Sequence, residues 1–196
     1  MALQEKLRRE IMSDPESQEF NQKGFEPLFT CSECSKIAII GQAPGLKAQT
    51  KQIPWDDKSG EKLVEWLGIT MEDLRNPELF AILPMDFYYP GKGKSGDLPP
   101  RKGFAEKWHT RALDSMPDIK MIILVGSYAQ KHYLGGLMKI NLTETVRAYS
   151  EYLPQFFPIV HPSPLNFRWQ AKNPWFEAEV VPALRAQVAK ILQDTH

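Results

Sequence analysis

The chain has 196 residues, of which 42% are apolar and 24% are charged, a composition typical of a soluble globular protein with a substantial core. Its formal net charge is zero, which argues against a generic polyanion-binding protein. No apolar run approaches the roughly 18 residues that a membrane span requires, and the charged N-terminus lacks the apolar stretch of a signal peptide. Two cysteines form no disulfide framework. We therefore expect a cytoplasmic protein with no membrane contact and no obligate protein partner.

Helical and extended patterns alternate along the chain. Residues 1–13 have helix-forming composition, with Leu3, Leu7 and Ile11 at four-residue spacing, and residues 14–30 indicate an irregular arm. The pattern predicts four strands, at residues 36–40, 79–83, 120–126 and 156–160. It also predicts four helices: one that begins after a cap at Ser59, one over about 102–116, one from a cap at Ser127 to His132, and one over about 175–192. Residues 134–150 are ambiguous, and residues 84–100 form a loop long enough to be functional.

The predicted strands are short apolar runs without polar alternation, which is typical of parallel strands covered on both faces. Because they alternate with helices, we predict an α/β fold: a single three-layer domain with a short, mostly parallel four-stranded sheet flanked by helices. We assign residues 1–34 to an N-terminal helix and arm, and residues 35–196 to the α/β domain.

Two motifs follow predicted strands: Gly41-Gln42-Ala43-Pro44-Gly45 and His161-Pro162-Ser163-Pro164-Leu165-Asn166. Ligands of parallel sheets bind beyond the carboxyl ends of the strands, so both motifs should meet in one cleft. The glycine-rich turn can present N–H groups to an anion or a carbonyl, although packing and turn geometry alone also explain it. His161, braced by two prolines, can donate a hydrogen bond to a carbonyl oxygen that gains charge, or can be a turn histidine bonded to backbone.

These motifs together resemble those of the uracil-DNA glycosylase superfamily, particularly a bacterial branch whose first motif has a Gly-Glu-Ala-Pro-Gly form. The resemblance extends over residues 35–192, and Trp55 occupies the place of an aromatic residue that stacks on the base. It implies a uracil-DNA glycosylase-like fold and a hydrolase that cleaves the N-glycosidic bond of uracil or another damaged base in DNA, as in base-excision repair. It also implies base flipping and no redox cofactor.

The resemblance assigns roles to particular side chains. His161 stabilises charge on the departing base and Gln42 holds the attacking water. The implied base-binding residues are Gly41, Ala43, Trp55, Leu83 and Asp86. The implied DNA-binding residues are Ser163, Leu165, Asn166, Arg168, Lys172, Lys92, Lys94 and Arg101. Leu165 is the candidate wedge that fills the vacated stack. The basic residues between positions 92 and 111 either contact phosphates or form a solvated surface.

The chain departs from the family pattern at its carboxylates. The branch has Glu at the position of Gln42 and another acid near Ala48, and other branches have Asp or Asn at the position of Ala43. Because an amide cannot take a proton from water, a second hypothesis is a DNA-binding or damaged-base-binding protein of the same fold that releases no base. A third is another nucleotide-binding or phosphate-binding α/β protein that uses the turn at residues 41–45 as its anion site.

We predict no cofactor and no metal site. The iron–sulfur cluster of the branch needs four cysteine ligands, and the chain has only Cys31 and Cys34. No second Cys-x-x-Cys or close His pair completes a zinc site. We therefore interpret these cysteines as structural or incidental thiols. Among the later aromatic residues, Trp175 and Phe176 are expected in the core, whereas Trp169 either packs in the core or stacks on exposed bases.

Overall fold

Four parallel strands form one sheet in the computed structural model, which describes residues 2–194. The strands are β1 (Ile37–Ile40), β2 (Phe80–Ile82), β3 (Met121–Val125) and β4 (Phe156–Ile159), in the order β2-β1-β3-β4. Ala38 of the central strand β1 is in register with Ala81 on one side and Ile122 on the other. The α/β prediction is confirmed, and every strand pair within this sheet is parallel.

The sheet separates two apolar cores, because successive side chains of a strand point to opposite faces. Ala38 and Ile40 belong to one core, and Ile37 and Ile39 belong to the other. These strands are buried on both faces, which explains why they are apolar throughout. The result is the predicted three-layer arrangement.

Helices cover both faces of the sheet. In chain order they are α1 (Leu3–Ser13), α2 (Gln18–Gln22), α3 (Leu46–Lys51), α4 (Lys58–Leu67), α5 (Met71–Arg75), α6 (Phe104–Asp114), α7 (Gly126–Leu134), α8 (Leu142–Arg147), α9 (Phe167–Lys172) and α10 (Val181–Gln193). Single 3₁₀ turns occur at Pro15–Ser17, Gly135–Leu137, Tyr149–Tyr152 and Pro164–Asn166, and a π-helical segment at Phe176–Val180 precedes α10. Helices α1, α2, α6 and α7 pack on one face of the sheet, and α4, α5, α8 and α10 on the other.

The ends of several helices differ from the prediction. Helix α4 is capped by Asp57, whose Oδ1 accepts a hydrogen bond from the Gly60 N–H at 3.0 Å, so Ser59 lies inside the helix. Helix α7 begins at Gly126 without a side-chain cap, so Ser127 is not its cap. The ambiguous stretch 134–150 is helical in large part, since it contains α8 and the turn at Gly135–Leu137.

The N-terminal helix is part of the core. Leu3, Leu7 and Ile11 are buried, as their spacing predicts, and they pack in the same apolar cluster as Phe29 and Ala38. The division of the chain at residue 34 stays a prediction. Between residues 2 and 194, no helix combines the length and the apolar character that crossing a membrane would need.

Candidate functional site

A cleft of about 290 Å³ opens at the carboxyl ends of the strands. The sequence predicts that both motifs meet here, and residues of both line it. The lining residues are Leu28, Gly41, Gln42, Ala43, Pro44, Gly45, Ala48, Pro54, Trp55, Asp57, Ile82, Pro84, Pro90, Asp97 and His161. The cleft is therefore built by the loops that follow β1, β2 and β4, as expected for a parallel sheet.

The turn after β1 is tied to the segment after β2 by backbone hydrogen bonds. The Gly41 carbonyl accepts from the Met85 N–H at 2.8 Å, and the Gln42 carbonyl accepts from the Asp86 N–H at 3.2 Å. A Cβ on Gly41 would lie 3.4 Å from a ring carbon of Trp55. The absence of a side chain at Gly41 therefore lets the indole lie directly against the turn.

Trp55 reaches the cleft from an unusual stretch of backbone. Gln52 and Trp55 both have positive φ angles, 56° and 55°, which are uncommon for residues other than glycine. Strain of this kind concentrates at functional sites, where the surrounding structure fixes it. The Trp55 ring lies 5.6 Å from the His161 ring between centroids, at an interplanar angle of 35°. Two flat side chains thus form neighbouring walls of the cleft.

The hydrogen bonds of His161 define its tautomer. Nδ1 lies 3.1 Å from the Ser163 N–H, from which it accepts, so the proton of the neutral ring is on Nε2. The Asn166 side-chain amide donates to the His161 carbonyl at 2.7 Å and secures the loop. Burial lowers the pKa of His161, and the nearby charge of Asp57 partly opposes this effect. A neutral donor at Nε2 is the form expected near pH 7. His161 is thus both a turn histidine bonded to backbone and a residue of the cleft.

A second cleft of about 240 Å³ adjoins the first and shares Gln42 and His161 with it. Trp169 also lines it, while its indole N–H donates to Thr143 Oγ1 at 2.9 Å. The Trp169 ring packs edge-on against Trp175 and Phe176. Phe176 is fully buried and Trp175 partly buried, so Trp169 is an anchor of the core with one edge in the second cleft.

The side chains of Leu83, Asp86 and Arg101 are engaged within the protein, and their assigned roles stay predictions. Leu83 and Asp86 are fully buried, and Leu83 packs in the core. The Asp86 carboxylate accepts from Arg101 Nε at 2.7 Å and Nη2 at 2.8 Å, and from two backbone N–H groups. Arg101 in turn lies over the rings of Phe20 and Phe104. This pair closes the loop between β2 and α6, so both side chains have a structural role. Pro84 and Ile82 line the cleft instead.

The remaining candidate DNA-binding residues lie in the loop after β2, in the loop and 3₁₀ turn after His161, and on α9. Leu165 is 86% exposed, and Arg168, Lys172, Lys92 and Lys94 are also exposed. Ser163 and Asn166 form hydrogen bonds within the His161 loop, where Ser163 Oγ accepts from the Leu165 N–H. They shape this loop, and their contact with DNA stays a prediction.

Sequence reasoning missed two residues that line the cleft and one exposed aromatic residue in the segment after His161. Phe167 is 61% exposed two positions after Leu165, and the guanidinium carbon of Arg168 lies 5.6 Å from its ring centroid. Asp57 and Asp97 line the cleft. In the sequence Asp57 follows Trp55 by two residues, and it lies outside the positions at which the family motif has its carboxylates.

Metal ligands do not cluster in the described part of the chain, since residues 2–194 contain no group of three or more His, Cys, Asp or Glu side chains placed to hold an ion. Cys34 is exposed, whereas burial raises the pKa of the Cys31 thiol to about 12. Cys31 is therefore protonated at neutral pH and is a poor metal ligand.

The fold and the cleft define an α/β protein with a candidate ligand site beyond the carboxyl ends of a parallel sheet. Residues 29–185 match the family model of the Uracil DNA glycosylase superfamily, so the chain belongs to this superfamily. Membership supports a DNA glycosylase-like role in general, and with it DNA as the partner and N-glycosidic hydrolysis as the class of reaction. It argues against the third hypothesis, a nucleotide-binding protein of another kind.

Proposed function

We propose that this protein is a DNA glycosylase that releases uracil or another damaged base from DNA in base-excision repair. The observation that carries the proposal is the shared cleft of Trp55 and His161, whose ring centroids are 5.6 Å apart. One ring offers a flat apolar face, and the other offers a single N–H donor. A flipped base needs both kinds of contact, stacking on its face and hydrogen bonding at its edge.

The chemistry follows from these positions. The base leaves the duplex at a cost of a few kcal/mol and stacks on Trp55, while Gly41 and Ala43 contact its edge through their backbone. His161 Nε2–H donates to the base carbonyl oxygen on which charge develops as the glycosidic bond breaks. Gln42, which lines both clefts, orients a water molecule. A neutral imidazole suits this role because it donates a hydrogen bond without giving up its proton.

The exposed residues around the cleft complete the proposed interface. Leu165 and Phe167 are apolar, exposed and close in sequence to His161, which suits residues that occupy the gap left by the base. The exposed residues Lys92, Lys94, Arg168 and Lys172 are the proposed phosphate contacts. Such contacts fix the position of DNA without reading its sequence. Ser163 and Asn166 hold the loop that carries Leu165.

A second candidate function is a binding protein that recognises a damaged base without releasing it. The observation that favours it is Gln42, an amide at the position where the bacterial branch that this chain resembles has a glutamate. Such a protein would retain salt-dependent affinity for damaged or single-stranded DNA.

The two functions are separated by single-turnover assays on labelled oligonucleotides that contain uracil, hypoxanthine, xanthine or an oxidised pyrimidine, each single-stranded and double-stranded. The glycosylase proposal expects base release by the wild type, at a rate lowered about 100-fold in His161→Ala and retained in His132→Ala. His132 is the matched control because it lies on α7 and pairs with Glu106 at 3.5 Å, outside both clefts. Binding without release of any base would contradict the proposal and support the second function.

A further inference from the structure

Two carboxylates line the cleft, although none is at the family positions Gln42, Ala43 or Ala48. They are Asp57 and Asp97. Asp97 belongs to the loop after β2, where its Oδ1 lies 3.7 Å from the Lys92 ammonium and accepts from the Tyr89 hydroxyl at 3.5 Å. Its charge is thus engaged within its own loop.

Asp57 is held differently. Its Oδ1 accepts from the Gly60 N–H and caps α4, while no side chain or backbone group among residues 2–194 donates to its Oδ2. The ten-residue helix α4 is anchored by its buried residues Leu63 and Trp66. One carboxylate oxygen is therefore fixed, and the other can bind water because Asp57 is an exposed residue that lines the cleft.

The position of Asp57 relative to Trp55 is also fixed. The two residues are separated only by Asp56, and the Trp55 carbonyl packs so closely on Gly60 that a Cβ there would lie 1.9 Å from it. The same turn of α4 therefore locates both the ring that would stack on the base and the carboxylate. The charge of Asp57 also acts on His161, since it opposes the lowering of the His161 pKa by burial.

Resting on the proposed glycosylase function, we propose that Asp57 is a catalytic residue that holds the attacking water and accepts its proton. The water oxygen bonds to the anomeric carbon as the bond from that carbon to the base nitrogen breaks. The electron pair of the broken bond leaves with the base, whose carbonyl oxygen accepts from His161 Nε2–H. The water proton passes to the Asp57 carboxylate. Gln42 orients the same water but cannot take the proton, so Asp57 supplies what the first motif lacks.

The substitution Asp57→Asn tests this role, because asparagine is as good a helix cap as aspartate and keeps an acceptor for the Gly60 N–H. Asp56→Asn is the matched control: Asp56 pairs with Lys51 at 2.8 Å and Arg75 at 3.4 Å, and it does not line the cleft. We expect the single-turnover rate of Asp57→Asn to fall about 100-fold, within the range for loss of a general base. The DNA affinity of Asp57→Asn and the single-turnover rate of Asp56→Asn should each stay within about threefold of the wild-type value, well below the 100-fold effect.

A second readout does not depend on activity. In NMR titrations of the free protein, the His161 ring should titrate at lower pH in Asp57→Asn than in wild type. In Asp56→Asn it should titrate at the same pH as in wild type. Base release by the wild type with an unchanged rate in Asp57→Asn would overturn this inference and leave the proposed function standing. An unmoved His161 titration would also overturn it. No release by the wild type would instead reject the proposed function, and this inference with it.

Discussion

The carbonyl oxygen of Trp55 occupies the space next to Gly60 that any side chain would need. A Cβ built on Gly60 would lie 1.9 Å from that oxygen and 2.8 Å from its carbonyl carbon, distances that no real structure tolerates. Because the neighbouring atoms are backbone, they cannot rotate away. The position of the indole in the cleft therefore depends on a glycine in the first turn of α4.

Gly60→Ala is expected to displace Trp55 and to lower the free energy of unfolding by about 2 kcal/mol, a typical cost of overpacking. Urea unfolding measures the loss. The displacement is measured as the change in tryptophan fluorescence quenching that disappears when Trp55 is also replaced by phenylalanine, since the chain has five tryptophans. Gly136→Ala is the control, since nothing lies within 4 Å of its Cβ. Equal stability of the two variants would show that the backbone contact is not a constraint.

The buried His109 makes stability depend on pH. Its Nε2 donates to the Pro84 carbonyl at 2.9 Å, and its Nδ1 accepts from the Tyr133 hydroxyl at 2.7 Å. Burial lowers the pKa of His109 to about 4, against an ordinary value of 6.5. Between these values the unfolded chain binds more protons than the folded protein. Stability is therefore complete above pH 6.5 and is lost progressively as the pH falls towards 4.

At pH 5 this loss amounts to about 2 kcal/mol relative to pH 7, from the two pKa values. Comparison of urea unfolding at the two pH values, for wild type and His109→Gln, isolates the contribution of this residue. The free energy of unfolding of His109→Gln should differ less between pH 5 and pH 7 than that of the wild type. An equal difference in the two proteins would contradict the assignment.

Arg101 is expected to stabilise the fold and not to contact DNA. Arg101→Ala leaves the buried Asp86 carboxylate without its cation, which should cost about 3 kcal/mol of unfolding free energy. Arg111→Ala is the matched control, because its exposed pair with Glu10 belongs to a class that contributes roughly 0–1 kcal/mol. A drop in the salt dependence of DNA binding in Arg101→Ala, with stability unchanged, would restore the phosphate role.

We expect Leu165 and Phe167 to raise the rate of base release from duplex DNA and to have no effect on the rate from single strands. Each is expected to replace the flipped base in the stack, a step that single strands do not need. Single-turnover rates on one damaged base in both kinds of strand test this for Leu165→Ala and Phe167→Ala. The duplex rate should fall about tenfold, a loss of about 1.4 kcal/mol in barrier terms, with stability unchanged because both side chains are exposed. Equal losses on the two substrates would argue against a wedge.

The strands and the two motifs could be predicted because they depend on local pattern. An apolar run such as residues 37–40 leaves little choice but a buried strand, and a strand of a parallel sheet places its following turn at the ligand edge. The position of His161 in the cleft could be predicted for this reason. The prediction that Ser59 caps α4 was wrong. Serine and aspartate are equally favoured as helix caps, and the packing of α4 against Trp55 determines that Asp57 is the cap.

The Asp86–Arg101 pair could not be predicted from spacing. The two residues are separated by a long loop, and their contact depends on how this loop closes over Phe20 and Phe104. From the sequence alone, Asp86 was therefore predicted to bind the base, and Arg101 was predicted to belong to a basic DNA-binding surface. Asp57 was missed because the carboxylate reaches the cleft from a helix cap and not from the first motif.

His161 is expected to act on bond cleavage more than on DNA binding, and the proposed function depends on this role. Its most direct test measures, on one preparation, the single-turnover rate and the DNA affinity of wild type and His161→Ala with the best substrate. Loss of a hydrogen bond to developing charge predicts a rate lowered about 100-fold. The affinity should change by less than about threefold, because the donor acts mainly in the transition state. Equal losses of rate and affinity, or base release that does not need His161, would contradict the claim.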